Sequence, residues 1–486
     1  MPNRQPEHKL SGIVAASDVL KNDDAMKSAA TLFRCQLALA GAALLAAGCT
    51  MIPSYTRPTA PVTAQFPGVA ATNEARSASL PWRNFFADER LEHLLDLALT
   101  NNRDMRVAVL NVAESRAEYR VTRSSLFPTV DAGGSYTRSH ASGVTSSSWS
   151  ANLGTTSWEL DLFGRVRSLN RQALEKYFAT DEARRSEQVS LVSEVATEYF
   201  TLREAEELLA LSQHTLQSVQ ESYDVNKAMF DAGATSELDV REAEGEVQSA
   251  KISVTTYQRQ KAQAENYLTL LIGSPLPTNL PTPRNFTDTN LLADIPAGLP
   301  SELLQQRPDI LEAEHTLKAD NANVGAARAA FFPTISLTAS AGSTSAQLSK
   351  LFGSGTGVWS FAPQVTVPIF TGGQNMADLD AAKITKRIDV ADYEKAIQTA
   401  FREVADALVG VNSYALQIDE ETALVTAQQH RYDLATVRYR QGEDTYLNAL
   451  TAQQDLFSAQ QGLLQAQYNK LASQISLYQA LGGGWN

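Results

Sequence analysis

Two stretches, Arg165–Asp231 and Gln374–Gln441, hold no proline and are rich in Ala, Glu, Gln and Leu. Read as helix at ~1.5 Å per residue, about 66 residues make a rod near 100 Å long. No ordinary globular core accommodates such a rod, so its length points to coiled-coil or helical-barrel packing. Each rod ends at a glycine, in "DAGATSELD" and in "RQGEDTYLN". Gly233 and Gly442 suit a left-handed helix C-cap. Ser236 or Thr235, and Asp444 or Thr445, can then N-cap a return helix. The return segments run about 37 residues, near 55 Å by the same rise. The chain therefore contains two long antiparallel helical hairpins with tight tips.

The hairpins belong to a wider duplication. "SSLFPTVDAGGSYT" resembles "AAFFPTISLTASAGS", and "SYDVNKAMFDAGATSELDV" resembles "RYDLATVRYRQGEDTYLNA". Tyr223, Asp224, Gly233 and Leu238 recur as Tyr432, Asp433, Gly442 and Leu447. "NNRDMRVA" before the first block parallels "QQRPDILEA" before the second. Two copies follow, over 91–272 and 301–486, joined by 273–300, whose six prolines rule out continuous helix. Each copy opens with a helical stretch (Leu91–Ser125; Ser301–Ala330) and passes through two strand-like stretches before its hairpin. The strands are expected at about 128–140 and 148–162, and at about 333–345 and 357–369.

The strands alternate with period 2. "PTISLTASAG" places Ile335, Leu337, Ala339 and Ala341 on one face, and "WSFAPQVTVPIF" does the same for Trp359, Phe361, Val365, Val367 and Ile369. In the first copy Tyr136 continues the pattern, and Trp158, Leu160 and Leu162 close the second strand after a parity slip near Gly154 that suggests a bulge. Alternation alone fits either a small soluble sheet or tilted membrane strands. No apolar run after residue 49 reaches the roughly 20 residues of a spanning helix. A membrane crossing would thus need a closed β-barrel. Four strands are too few for a barrel, which needs at least about eight. A trimer would supply twelve strands and six hairpins.

The N-terminus supplies the export context. "LALAGAALLAAGCTMIP" joins a short apolar run to Cys49, with Lys27 and Arg34 upstream and Ala46, Ala47 and Gly48 before the cysteine. This layout is a secretory signal of the bacterial lipoprotein kind, cut before a lipid-bearing cysteine. Leu45 stands four residues before Cys49, where the usual lipobox leucine stands three before. A buried core cysteine is the other reading. Met26 would start a signal of ordinary size, so translation is expected to begin there. Residues 1–48 are set aside, and 49–90 read as an extended segment.

Beyond the signal, Cys49 is the sole cysteine, which excludes an intrachain disulfide and a thiolate metal site. Taking the five basic and four acidic residues of 1–48 from the 41 and 54 of the whole chain leaves a net charge of −14. An acidic chain is a poor binder of phosphate backbones, so no nucleic acid is expected as partner. The six histidines are scattered without paired-ligand spacing, and "GSGTG" at Gly353–Gly357 lacks a following Lys-Ser/Thr. Neither catalysis nor a cofactor nor a bound metal is expected.

The chain resembles the OprM type of TolC-like outer-membrane efflux channels, which are lipoproteins. The matching stretches are "TTSWELDLFGRVRSL", "AGLPSELLQQRPDILEAEHTL", "GAARAAFFPTISLTA", "YEKAIQTAFREVADAL", "RYRQGEDTYLNALTAQQ" and the terminal "LGGGWN". The resemblance covers nearly everything after Cys49. It implies a mainly α fold with a β-barrel. Three chains would form a homotrimer with a twelve-stranded outer-membrane barrel on a long periplasmic α-helical barrel, and an equatorial belt built from the N-terminal segment, the Pro-rich connector and the C-terminus. The implied role is multidrug efflux, as the exit duct of a tripartite pump with a periplasmic membrane-fusion adaptor and an inner-membrane transporter of the resistance-nodulation-division class. Metal-ion efflux, type I protein secretion and a structural coiled-coil stalk are the alternatives.

The resemblance also carries site residues. Arg438-Tyr439 match the pair before the second hairpin, and Leu447 matches the leucine of a hydrophobic gate ring. The aspartate that usually follows four residues later is Thr451 here. The arginine's acidic partner falls within "LREAEELLA", at Ala205, leaving Glu204 or Glu206 to substitute. Glu443 and Asp444 are the next gate candidates. The tips, with Gly233, Ala234, Thr235, Ser236, Leu238, Gly442 and Thr445, are expected to face the adaptor. Cys49 would carry palmitate in the outer-membrane lipid, and Thr50 after it favours outer-membrane sorting.

Overall fold

The computed structural model describes residues 50–63, 66, 81–286, 288, 292 and 306–483. Cys49 and the signal region lie outside them, as does much of the connector. The elements in order are α1 (Trp82–Phe85), α2 (Glu89–Asn101), α3 (Arg103–Ser124), β1 (Asp131–Ala141), β2 (Val144–Glu159), α4 (Arg165–Asp231) and α5 (Glu237–Ile272). The second half has α6 (Pro308–Ala329), β3 (Thr334–Ser345), β4 (Gly357–Thr366), α7 (Gln374–Arg440) and α8 (Tyr446–Ala480). Among the described residues, no helix is long and apolar enough to cross a membrane.

Contacts divide the chain into two units. The first comprises Arg120–Gln172 and Asn321–Ile384 with residues 50–54, and holds the four-stranded antiparallel sheet in the order β1-β2-β3-β4. Ser142 and Gly143, both with positive φ (49° and 78°), make the two-residue turn between β1 and β2, the geometry that a right-twisted hairpin favours. That turn pairs Ala141 with Val144, so β2 begins four residues before the alternation suggested. β2 pairs with β3 from Trp149↔Ser345 to Glu159↔Ser336, which joins strands of the two repeats, with a register shift between Thr155 and Trp158. The parity slip near Gly154 is therefore a bulge centred just beyond it, at Ser157 with φ 57°. In the same unit the N-terminal segment lies against α6: Asn321 Nδ2 donates to Pro53 O (2.9 Å), and a side chain at Gly325 would collide with Ile52.

The second unit comprises Tyr55–Tyr119, Ala173–Asp320 and Thr385–Asn486. Its largest apolar core packs Phe85, Phe86, Leu94 and Leu95 against Tyr199 and Phe200 of α4, Leu268 and Ile272 of α5, and Tyr478 of α8. Phe286 and Leu292 of the connector join it, so N-terminal, connector and C-terminal residues share one core. Asp88 accepts from the backbone N–H of Arg90 and Leu91 as N-cap of α2, and from the Tyr199 hydroxyl at 2.8 Å. The single helix expected over Leu91–Ser125 is two. Asn102 is extended (φ −57°, ψ 138°), its Oδ1 accepts from Met105 N, and its Nδ2 donates to Leu271 O (2.8 Å). An asparagine so engaged caps a new helix rather than continuing the old one.

Candidate functional site: the sheet faces and the hairpin tips

The sheet register sorts side chains by chemistry. Directly opposed residues of antiparallel strands share a face. One face carries Tyr136 opposite Trp149, Leu153 opposite Ala341, Ala341 opposite Trp359, and Ala339 opposite Phe361. The other carries hydroxyls, with Ser135–Ser150 at 2.8 Å, Ser139–Ser146 at 2.9 Å and Ser340–Ser360 at 2.9 Å. Trp359 is 80% exposed and Phe361 62%, so the apolar face has no cover from its own chain. A strongly apolar face backed by a hydroxyl face is the division that a barrel between lipid and water requires. β1 and β4 are the edges of this sheet.

The two hairpin tips in the second unit are built alike. Gly233 has φ 75° and Gly442 φ 76°. At the first, Ala234 N donates to Met229 O (2.8 Å) and Gly233 N to Phe230 O (2.8 Å). At the second, Glu443 N donates to Arg438 O (3.0 Å) and Gly442 N to Tyr439 O (2.9 Å). Both are glycine-dependent helix ends that satisfy the last carbonyls.

Beyond the glycines they differ. Ser236 and Asp239 form a reciprocal capping box at α5, and Thr235 Oγ1 also donates to Asp239 Oδ2 at 2.6 Å. The hydrogen bond from Thr235, followed by those from Ser236, holds the Asp239 carboxyl below its ordinary range. At the second tip Thr445 makes no side-chain cap. Asp444 Oδ1 instead accepts from Asn448 Nδ2 (2.5 Å) and Thr445 N (2.8 Å). The Asn448 bond is the main cause of a lowered Asp444 pKa. Asp444 Oδ2 lies 3.5 Å from Arg438 Nε. Leu447 and its counterpart Leu238 are exposed, at 53% and 66%.

The structure does not bring Glu204 or Glu206 to Arg438. The Tyr439 hydroxyl donates to Asn226 Oδ1 (2.6 Å), which fixes the level of Arg438 beside α4. Asn226 lies 22 residues beyond Glu204, about 33 Å along the helix. Glu206 pairs with Arg203 (2.6 Å) and Lys261 (3.2 Å) instead. Arg438 meets Asp444 of its own tip.

Sequence reasoning also missed the network that ties the hairpins together. Asn226 is fully buried, its Nδ2 donating to Ser222 O (2.9 Å). Tyr439 packs on Tyr446 with ring centres 5.4 Å apart, and Ser222 Oγ donates to the Tyr446 hydroxyl at 3.5 Å. Gln453 Nε2 donates to Ser218 Oγ (3.2 Å), which lies 3.4 Å from the Tyr432 hydroxyl. The available signal was asymmetry between the copies: at the offset of the tips, Asn226 corresponds to Ala435 and Tyr446 to Glu237.

The family model described as "Outer membrane efflux protein" matches residues 94–274 and 299–483. The chain belongs to the outer membrane efflux protein family. It is 48% identical to the toluene efflux pump outer membrane protein TtgC of Pseudomonas putida, over 92% of this chain and 95% of that one. It is 40% identical to the cation efflux system protein CusC of Escherichia coli, over 93% and 99%. Among solved structures it matches the open state of the Neisseria gonorrhoeae MtrE outer membrane channel with a TM-score of 0.84 and 41% identity, covering 90% of this chain and 99% of that one. This outer membrane efflux protein thus has the TolC-like fold, mostly helical with four strands per chain, and acts as an outer-membrane efflux channel.

Proposed function

We propose that the protein is the passive exit duct of a tripartite efflux pump for drugs, solvents and other small toxic compounds, working as a homotrimer. The observation that carries this is the sheet: four strands, two edges and an uncovered apolar face opposite a hydroxyl face. Open edges are not tolerated in lipid, and three copies give a closed barrel of twelve strands. The relatives handling toluene support organic cargo, and CusC keeps cations as the second reading. A passive duct makes few specific contacts, so cargo choice rests with an inner-membrane transporter of the resistance-nodulation-division class, coupled through a periplasmic adaptor that meets the tips at Gly233 and Gly442. Cys49 anchors the chain by a lipid, which adds little to a barrel's own insertion. A channel that chooses no cargo and drives no step needs no enzyme chemistry.

The resting gate is the second tip. Leu447 from three copies closes the lumen, and Arg438 with Asp444 holds the turn behind it. Two packings of the hairpin that differ little in free energy make such a gate. The double change Leu447→Ala with Arg438→Ala raises single-channel conductance in planar bilayers and makes cells leak large antibiotics, while heat-resistant trimers persist in detergent gels. Conductance equal to wild type would move the gate elsewhere. Deleting the chain and comparing susceptibility to toluene and antibiotics with that to copper and silver separates the two cargo readings.

A further inference from the structure

One polar group in the hairpin wall serves none of these roles. Glu204 on α4 is 9% exposed, and its Oε1 has no hydrogen-bond partner among the described residues. A carboxylate taken out of water takes up a proton or pairs with a cation. Among the described residues, Arg203 and Lys261 are engaged elsewhere: Arg203 by Glu206 (2.6 Å) and Glu207 (3.4 Å), and Lys261 by Glu206 (3.2 Å) and Glu265 (3.8 Å).

Glu204 lines a groove between α4, α5 and α8. Leu208 and Ala264 give it an apolar floor, while Tyr257, close enough to feel the Glu204 charge, and Gln465 line it from the other two helices. Gln461 Nε2 donates to the Tyr257 hydroxyl (2.7 Å), and the Tyr468 hydroxyl lies 3.0 Å from Thr201 Oγ1, so both phenols are held in place. Burial raises the Glu204 carboxyl to about 7. Glu198, also on the groove, is raised by burial and then by Glu194.

We propose that this groove binds a protonated organic amine, with Glu204 as its counter-ion and Tyr257 and the apolar floor against its carbon body. A buried carboxylate beside an aromatic ring and an aliphatic wall is the setting in which an ammonium group is recognised. A hard divalent cation such as calcium fits poorly, because it takes six to eight converging oxygens. The second carboxylate, Glu198, lies six residues away, about 9 Å along the helix and about 120° around it. That spacing suits an elongated amine better than a single ion.

The test titrates the intact, detergent-solubilised protein with monodansylcadaverine at pH 5.5, 7.0 and 8.5, with neutral dansylamide as control. The amine stays protonated across this range, whereas Glu204 is charged only above about 7. Fluorescence should therefore rise saturably at pH 8.5, with affinity at least tenfold lower at pH 5.5. Putrescine should displace the dye. Glu204→Gln, close in shape, should keep heat-resistant assembly, lose at least tenfold in affinity and flatten the pH profile. Equal binding of dansylamide, unchanged binding by Glu204→Gln, or displacement by calcium but not putrescine would each overturn the assignment, as would no saturable binding to wild type. Should the variant fail to assemble, the wild-type pH profile and the dansylamide control decide alone.

Discussion

The two hairpin tips have one backbone and two chemistries. Gly233 and Gly442 adopt the same left-handed turn and satisfy the same carbonyls. At the first tip the acid, Asp239, is locked into a local capping box by its own neighbours. At the second, Asp444 is shared among Asn448, Thr445 and Arg438, and Thr445 caps nothing by its side chain. What holds the second hairpin near its tip is contact with the first, through Tyr439, Asn226 and Tyr446. Duplication preserved the feature that backbone geometry demands and released the side chains around it. The first tip closes on a local capping box, and near the second tip Tyr439 and Tyr446 also meet Asn226 and Ser222 of the first hairpin. That contact supports the proposal that the second hairpin is the moving part of the gate.

The largest expected effect comes from the feature the tips share. Gly442→Val forces a branched side chain into positive φ at a cost of about 1–3 kcal/mol. No neighbour lies within 4 Å of the added atom, so the damage is backbone strain alone. Cross-linking to the adaptor should drop severalfold while heat-resistant trimers survive, and Gly233→Val should do the same. Normal adaptor cross-linking in both variants would remove the tips from that interface.

Next is the contact peculiar to the second tip. Tyr439→Phe leaves the buried Asn226 Oδ1 without its donor, a loss of about 1–3 kcal/mol. It should raise the open-channel fraction in bilayers, whereas Phe230, the first-tip counterpart, is already phenylalanine. An unchanged open fraction would show that the Tyr439 bond does not restrain the second hairpin.

A smaller contrast separates the caps. Ser236→Ala should cost about 1 kcal/mol, the usual value for a lost N-cap, and Thr445→Ala only a few tenths. Amide exchange in the first turns of α5 and α8 reads both, and equal losses would erase the distinction between self-capped and shared tips.

The smallest effect is acid sensitivity. Both aspartates have lowered folded pKa values, Asp239 chiefly through Thr235 and Asp444 chiefly through Asn448. The stability each adds is present above the usual carboxylate range and is lost as pH falls below about 4 through the folded value. Corrected for intrinsic rates, exchange at the first tip should accelerate more between pH 5 and 2.5, since Asp444 is screened by water.

Much of this architecture was legible in the sequence. Freedom from proline and a terminal glycine roughly delimit both rods, and the helices found are α4 at Arg165–Asp231 and α7 at Gln374–Arg440. Period-2 alternation marked the apolar face of β3, and of β4 as far as Val365, before any pairing was known, whereas Leu160 and Leu162 lie beyond the end of β2 at Glu159, and Val367 and Ile369 beyond the end of β4 at Thr366. These features depend on neighbours a few residues apart, and local backbone preference encodes them directly. Tertiary structure alone decided the rest. Asn102 breaks a helix because Leu271 O, 169 residues away, meets its side chain. Arg438 meets Asp444 rather than Glu204, because the level at which α7 packs beside α4 puts Asn226 opposite Tyr439. Glu204 lies in a groove that three helices form together. A long helix carries its own geometry in its sequence, but which residue faces which across two such rods depends on how one slides along the other, and a slide of one turn changes every partner.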